Sequence, residues 1–379
     1  MRNLKIYFRN FKKQKLIYSI TIGGFAISLA VLVLIASYIV EEKSVDRHLP
    51  NINRMYRIKQ ADQNSTIPKR IYQNILDAAP EVESLCLLKS NGTLYEYGSE
   101  KKMARSLTTN EQFLDVFSVE ILQGEKVGLL QAKTDVLITE EFAKRVFGDK
   151  NPIGEIIEFD GNEKKQIKAI VATPLKNSSL IYDVIFNLDT GIGQSTRGYN
   201  EERYYMHDAV FVLKAHAKPE DVEKKIADLL KPYEGYSETT LTIQAFKDVY
   251  YDTKGDNDSY AHANLGMIKL LSWIALIILI LAILNYINLT TAFNNERHKE
   301  ICIRKTTGAY NNAIFQQFIG ESYLSFAIAL VLSFGLAALL SPLFRELFGR
   351  EISISEALRS YEMIIVLVLC FLVIGAVSG

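Results

Sequence analysis

The sequence predicts a membrane α-helical chain of four spans, with a large α+β extracytoplasmic domain inserted between the first span and the second. Three observations predict it. Apolar residues gather in four blocks, at 16–40, 267–292, 318–340 and 363–379. Residues 41–266 separate the first two blocks, a domain-sized insertion. The sign of the charge alternates between the segments that the blocks divide. Whole-chain averages hide all of this. The chain has 379 residues, 43 basic and 43 acidic, and 49% of it is hydrophobic. That balance excludes a strongly basic nucleic-acid binder and a wholly disordered chain. Three cysteines exclude a disulfide scaffold.

Residues 1–15 hold six basic side chains and no acidic one. Block 16–40 holds no charge; as a helix it runs about 37 Å, enough to cross a hydrocarbon core of about 30 Å. A cleaved signal peptide also starts with a basic stretch, but its apolar core is about 7–15 residues long and a small-residue cleavage site follows. Neither feature is present, so the block reads as a retained anchor. Soluble helices keep a polar face; blocks 267–292, 318–340 and 363–379 carry only scattered polar residues and read as spans. Residues 41–266 hold 29 basic and 36 acidic side chains, 293–317 hold four and two, and 341–362 hold three and four. Short segments rich in Lys and Arg stay in the cytoplasm. Residues 1–15 and 293–317 are therefore expected inside, and 41–266 and 341–362 outside. The last block, 363–379, is short for a crossing; the expectation is a chain cut within its fourth span, with the natural protein continuing beyond.

Within the outer domain, Met55–Gln60 alternates as a strand. Pro68–Ala79, Glu111–Phe117 and Glu140–Phe147 read as helices, the last with Thr139 as N-cap and Gly148 as its stop. Lys168–Ala172 reads as a strand, and Ala209–Leu213, Pro219–Leu230 and Thr240–Phe246 as strand, helix, strand. The pattern is α+β, expected as two subdomains. His207–Asp208 reads as a surface pair and Cys86 as a reduced, buried small hydrophobe. No metal-ligand spacing, nucleophile elbow or C-x-x-C occurs, so no catalytic residue and no metal site are assigned. The G-x-x-x-x-G-K-[ST] phosphate loop is absent as well. No cofactor is assigned to this chain, and ATP-driven work would come from a partner.

The segment NNERHKEICIRKTTGAYNNAIFQQFIGES follows the second block. Glu300 and Arg304 form an i,i+4 pair in the favourable order. Arg304 and Lys305 complement a helix C-terminus. Gly308 suits a left-handed cap, and Asn311 or Asn312 caps the next helix. A cytoplasmic helix, turn, helix results. It has two readings: a loop that only fixes orientation, or a coupling element pressed onto a soluble motor. Glu321 reads as an interfacial acid or as an intramembrane acid paired across the bundle. Asn285 and Asn288 suit hydrogen bonds between helices better than substrate binding.

The run ILNYINLTTAFNNERHKEICIRKTTGAYNNAIFQQFIGES resembles the signature of FtsX/MacB-like ABC transporter permeases. Asn285, Asn288, Leu289, Arg297, Glu300, Ile301, Ile303, Arg304, Lys305, Gly308, Ala309, Glu321 and Ser322 carry the match. Cys302 departs from it where Gly is common, and Thr307 where an apolar residue is usual. MRNLKIYFRNFKKQK is similar to the family's amphipathic N-terminal helix. EEKSVDRHLPNINRMYRI, TTNEQFLDVFSVEILQGE, LITEEFAKRVFGDKNPIGE and IVATPLKNSS are similar to successive parts of the MacB periplasmic core domain. The style resembles long Bacteroidetes-type members, which carry a second half.

The resemblance implies a bacterial inner-membrane permease subunit, N-terminus cytoplasmic and large domain periplasmic, without enzymatic activity of its own. It implies a separate cytoplasmic ABC ATPase, which holds the ATP and Mg. It implies that Arg297, Glu300, Ile301, Arg304, Lys305, Gly308 and Ala309 form the coupling site, with Asn285, Asn288, Glu321 and Ser322 as polar packing positions in the spans. The implied partners are a second permease unit or the second half of the same chain, a periplasmic adaptor or cell-wall hydrolase, and membrane lipids, with no nucleic acid. The implied mechanism is mechanotransmission for efflux of antimicrobial, peptide or lipid substrates, or for lipoprotein handling. A regulatory complex that activates a cell-wall hydrolase is the alternative, and a non-ABC receptor a third reading.

Overall fold

The computed structural model describes residues 15–60, 66–98, 100–161, 163–190, 206–232, 241–252, 259–292, 311–348, 354–359 and 361–378. It divides into a helical unit, residues 1–43 with 265–379, and an outer unit, residues 44–264.

The outer unit is built on a mixed sheet. Its strands are β1 (Met55–Gln60), β2 (Thr66–Pro68), β3 (Val82–Tyr97), β4 (Glu100–Thr109), β5 (Ile121–Gly124), β6 (Asp135–Thr139), β7 (Ile156–Phe159), β8 (Glu163–Val171), β9 (Val184–Asn187), β10 (Met206–Leu213) and β11 (Leu241–Ala245). The order is β11-β1-β10-β3-β4-β9-β6-β8-β5, with β2 on β10 and β7 on β3 and β8. The pairs β4/β9 and β6/β8 are parallel.

Strand alternation explains the layers. In β3, Leu85 and Leu87 point to one face and Cys86 and Leu88 to the other; in β10, Ala209 and Phe211 oppose Val210 and Val212. In β6 and β9, Leu137 and Ile185 share the face of Cys86, while Val136, Ile138, Val184 and Phe186 look the other way. One face therefore carries a continuous core. The opposite face carries two, under separate helices. One core takes Ile75 of α2 (Tyr72–Ala78) and Val222 and Ile226 of α5 (Pro219–Leu230). The other takes Phe142 and Phe147 of α4 (Glu140–Phe147). The outer unit is thus one compact unit with two helical lobes on one sheet, not the two subdomains expected from the sequence.

Several elements match the sequence reading. β1 has the expected bounds, and α4 is capped by Thr139, whose Oγ1 accepts from Phe142 N–H at 3.2 Å. Others differ. Pro68 does not start a helix: it ends β2, where a missing N–H is tolerated, and Lys69–Ile71 form a 3-10 turn before α2. The strand expected at Lys168–Ala172 is longer, Glu163–Val171. The long hairpin β3/β4 has no counterpart in the sequence reading. His207–Asp208 is no surface pair. Both side chains are buried in β10, and Asp208 accepts from Ser259 N–H at 3.1 Å. Cys86 is buried and free, and its burial pushes the thiol pKa up.

The helical unit comprises α1 (Lys15–Ser44), α6 (Leu265–Ala292), α7 (Asn311–Phe348), the short α8 (Ile354–Arg359) and α9 (Tyr361–Ser378); α3 (Gln112–Val116) belongs to the outer unit. Among the described residues, three stretches are long and apolar enough to cross a membrane, Ile22–Ser44, Leu265–Asn285 and Ser322–Phe348. The first is the enclosed one, 61% buried against 11% and 22%. Leu29 and Phe25 of α1 pack with Ala282 of α6 and Phe326 of α7. Tyr323 of α7 stacks on Phe371 of α9 with centroids 4.0 Å apart. α7 runs past the predicted block at both ends, through Pro342. Proline there removes the N–H that would reach Ala338, and Ser341 Oγ donates to that carbonyl instead, at 3.0 Å.

Candidate functional site

The coupling residues read from the sequence, Arg297, Glu300, Ile301, Arg304, Lys305, Gly308 and Ala309, lie outside the described residues. So do residues 1–14. Asn285 and Asn288 stand on α6, and Glu321 and Ser322 on α7. The Asn285 amide nitrogen lies 3.2 Å from where a Cβ on Gly24 would stand, so the α1 backbone comes close there. Ser322 is buried.

A second cluster lies where the outer unit joins the chain segments that lead to α1 and α6. Asp46, two residues past the end of α1, is 2% exposed and has φ +60°. Aspartate tolerates this left-handed conformation because its short polar side chain bonds locally. Its N–H donates to Asn177 O at 2.9 Å. Its Oδ1 accepts from Ser179 N–H at 2.8 Å and from Ser178 Oγ at 3.4 Å. Asn177 Nδ2 donates to Ser44 Oγ and O at 3.3 and 3.4 Å. From the other side, Ser179 O accepts from Ala261 N–H at 2.7 Å. Ser179 therefore ties the segment after α1 to the segment before α6.

A buried cation reinforces the second tie. Arg57 on β1 is 1% exposed; its Nε donates to Gln244 Oε1 at 2.9 Å and its guanidinium lies 3.4 Å from Asp252 Oδ2. Lys59 also pairs with Asp252. The guanidinium sits 5.6 Å from the ring centroid of Tyr260, beside Ala261. Tyr260 in turn meets Phe246 edge to face at 5.5 Å.

Together the Asp46–Ser179 and Ala261–Ser179 bonds form a latch. Burial pushes the Asp46 carboxyl above its ordinary range, against the Ser179 hydrogen bonds and the nearby His48. Asp46 Oδ2 and Ser179 Oγ are buried without a hydrogen-bond partner among the described residues. Beside it lies a cleft of about 250 Å³, with His48 and Glu120 at its polar side and Phe113, Phe117 and Tyr182 among its walls. Asp46 and Ser179 both lie in runs similar to the periplasmic core domain, but nothing in the sequence pairs them. The available signal was a polar N-S-S triplet directly before the apolar Leu180-Ile181-Tyr182.

The sequence profile of the MacB-like periplasmic core domain matches residues 18–229, more than half of the chain. This chain belongs to the FtsX/MacB-like ABC permease family. The profile of the FtsX-like permease C-terminal region matches residues 272–379, so both family parts occur in order on one chain. Among curated relatives, the macrolide export ATP-binding/permease protein MacB of Neisseria meningitidis is 25% identical over 273 residues, 70% of this chain and 40% of that protein. MacB of Vibrio parahaemolyticus is 26% identical over 311 residues, 80% of this chain and 44% of that protein. This chain thus spans less than half the length of these relatives. Two solved structures are also similar. A permease domain from Porphyromonas gingivalis has a TM-score of 0.42 at 17% identity, over 59% of this chain and 99% of that one. The periplasmic region of MacB from Actinobacillus actinomycetemcomitans has a TM-score of 0.41 at 17% identity, over 54% and 95%.

Proposed function

We propose that this FtsX/MacB-like permease couples ATP hydrolysis in a partner ABC ATPase to movement of its outer domain. In this reading the N-terminus is cytoplasmic, the chain lies in a bacterial inner membrane, and α9 is a fourth span. The ATPase docks on residues 293–317 through Arg297, Glu300, Ile301, Arg304 and Lys305, with Gly308 and Ala309 forming the turn. The chain itself holds no ATP. A second permease unit, or a second half of the same chain, completes the assembly.

The observation that carries this reading is the double tie at Ser179. Two segments far apart in sequence, leading to α1 and to α6, are bonded to one residue of the outer unit. A domain that only bound a ligand would not need both connections fixed; one that is moved by its helices would. The apolar spans support the same reading, because they offer few polar groups to line a pore. Export of an antimicrobial, peptide or lipid, or lipoprotein handling, is the activity we assign, in keeping with the macrolide-export names of the relatives.

The test is co-purification of the full chain from native membranes. Wild type retains an ABC ATPase, and Glu300→Lys with Arg304→Glu releases it. An ATPase that binds both forms equally, or neither, contradicts the docking assignment.

A further inference from the structure

Two faces of α6 meet different surroundings. Leu271, Ala275, Ile278 and Ala282 step by four, three and four, so they share one side of the helix. They join the apolar clusters that hold α6 against α1 and α7. Lys269, Trp273, Leu276 and Ile280 repeat the same spacing about 160° away around the helix. All four are exposed, Trp273 by 64% and Ile280 by 48%. This side of α6 faces outward from the helical unit.

Lys269 is the one charge on α6, which carries no acidic residue. The lysine forms no hydrogen bond or ion pair with any described residue. It stands about 6 Å in from the start of the apolar stretch Leu265–Asn285. A lysine there lays its stem along apolar surface and brings its ammonium to headgroup level. One turn deeper is Trp273, the single tryptophan of the chain. An indole suits that depth, since its body is apolar and its N–H is wet. Ile280 lies about 17 Å along the helix from Lys269, close to half a hydrocarbon core of about 30 Å. The face is therefore ordered as a leaflet is: charge, amphipathic ring, aliphatic chain.

A second copy is a poor cover for this face. Two-fold symmetry about the membrane normal would set Lys269 beside Lys269 at one depth, with no acid on α6 between them. We propose instead that the face binds an anionic phospholipid. Its phosphate meets Lys269, and an acyl chain lies along Trp273, Leu276 and Ile280. The lipid is a fixed neighbour of α6 and not transported cargo. That its leaflet is the outer one rests on the orientation proposed above; the headgroup preference does not.

The test uses Trp273 as its own reporter. The full chain is reconstituted in phosphatidylcholine bilayers, and a phospholipid brominated on its acyl chain replaces part of the lipid. Bromine quenches indole emission only at close contact. Quenching is followed as the brominated fraction rises. Brominated phosphatidylglycerol is expected to bind beside Trp273 about fivefold more tightly than brominated phosphatidylcholine, the worth of one lysine near an anionic surface. Lys269→Gln removes that preference, and Lys269→Arg keeps it. Equal quenching by the two lipids in wild type overturns the proposal, as does a preference that survives Lys269→Gln. Quenching by neither lipid also overturns it, because protein then covers the face.

Discussion

Ser179 donates its backbone N–H to Oδ1 of Asp46 at 2.8 Å, across 133 positions of sequence. The same residue accepts from Ala261 through its carbonyl. The bond to Asp46 is buried, so it cannot be exchanged for water without opening the segment. Replacing Asp46 by Ala removes the acceptor and places an alanine at φ +60°. A loss of about 1–3 kcal/mol follows. Asparagine at this position would keep the acceptor, tolerate the left-handed backbone and remove the buried charge. Asp46→Asn is therefore expected to match or exceed wild type at neutral pH. Thermal unfolding of the full chain, with hydrogen exchange at residues 177–180, checks both.

Two carboxylates should give the outer unit opposite acid responses. Burial raises the Asp46 pKa, so the native state holds that proton more tightly than the unfolded state. Its contribution falls as pH rises above the ordinary carboxylate value and recovers on acidification. Asp183 is the reverse. Burial alone would raise its pKa, but the hydrogen bonds and charge of Arg105, and the charge of Arg145, together lower it. Arg105 Nε and NH2 reach its two oxygens at 3.1 and 3.0 Å. Its contribution is present above the ordinary carboxylate value and lost as pH falls below it. Stability measured across the acid range should lose its low-pH decline in Asp183→Asn and its low-pH gain in Asp46→Asn.

The Ser341 hydroxyl replaces a backbone donor that Pro342 removes. Ser341→Ala should destabilise the helical unit by about 0.6 kcal/mol, a typical side-chain hydrogen bond in a membrane helix. Pro342→Ala restores the N–H, so the same serine change should then have little effect. A double-mutant cycle on thermal stability in detergent measures the coupling.

Gly124 closes the β5 edge at φ +101°, and a Cβ there would stand 2.3 Å from Lys168 O. Backbone does not yield as a flexible side chain does. Gly124→Ala should lower stability by more than about 1 kcal/mol and expose the β5/β8 amides to hydrogen exchange.

The long apolar helices α1, α6 and α7, and the capped helix α4, were legible because their signals are local. An apolar run of sufficient length, Thr139 before Glu140, and Gly148 after Phe147 each announce an element without tertiary information. The β3/β4 hairpin was not legible. Its strands mix Ser, Asn, Gly and Lys with Leu and Tyr, and only pairing with β10 and β9 makes them strands. His207 and Asp208 were misplaced for a related reason: a polar dipeptide gives no hint that its strand lies inside the sheet. The latch was hidden because its partners, Asp46, Ser179 and Ala261, meet only through the fold. The residues assigned to coupling were read by resemblance to a family motif, and they lie outside the described residues.

The proposed function requires that ATP hydrolysis in a partner move the outer domain through its helices. Its most direct measurement is an ATP-dependent distance. A spin label replaces Val127, which is 84% exposed on the outer unit, in the permease assembled with its ATPase in a bilayer. Distances between labelled copies should shift when a non-hydrolysable nucleotide binds and return after washout. In Asp46→Ala the ATPase should keep turning over while the shift shrinks. Unaltered distances in a complex that hydrolyses ATP and transports would contradict the account.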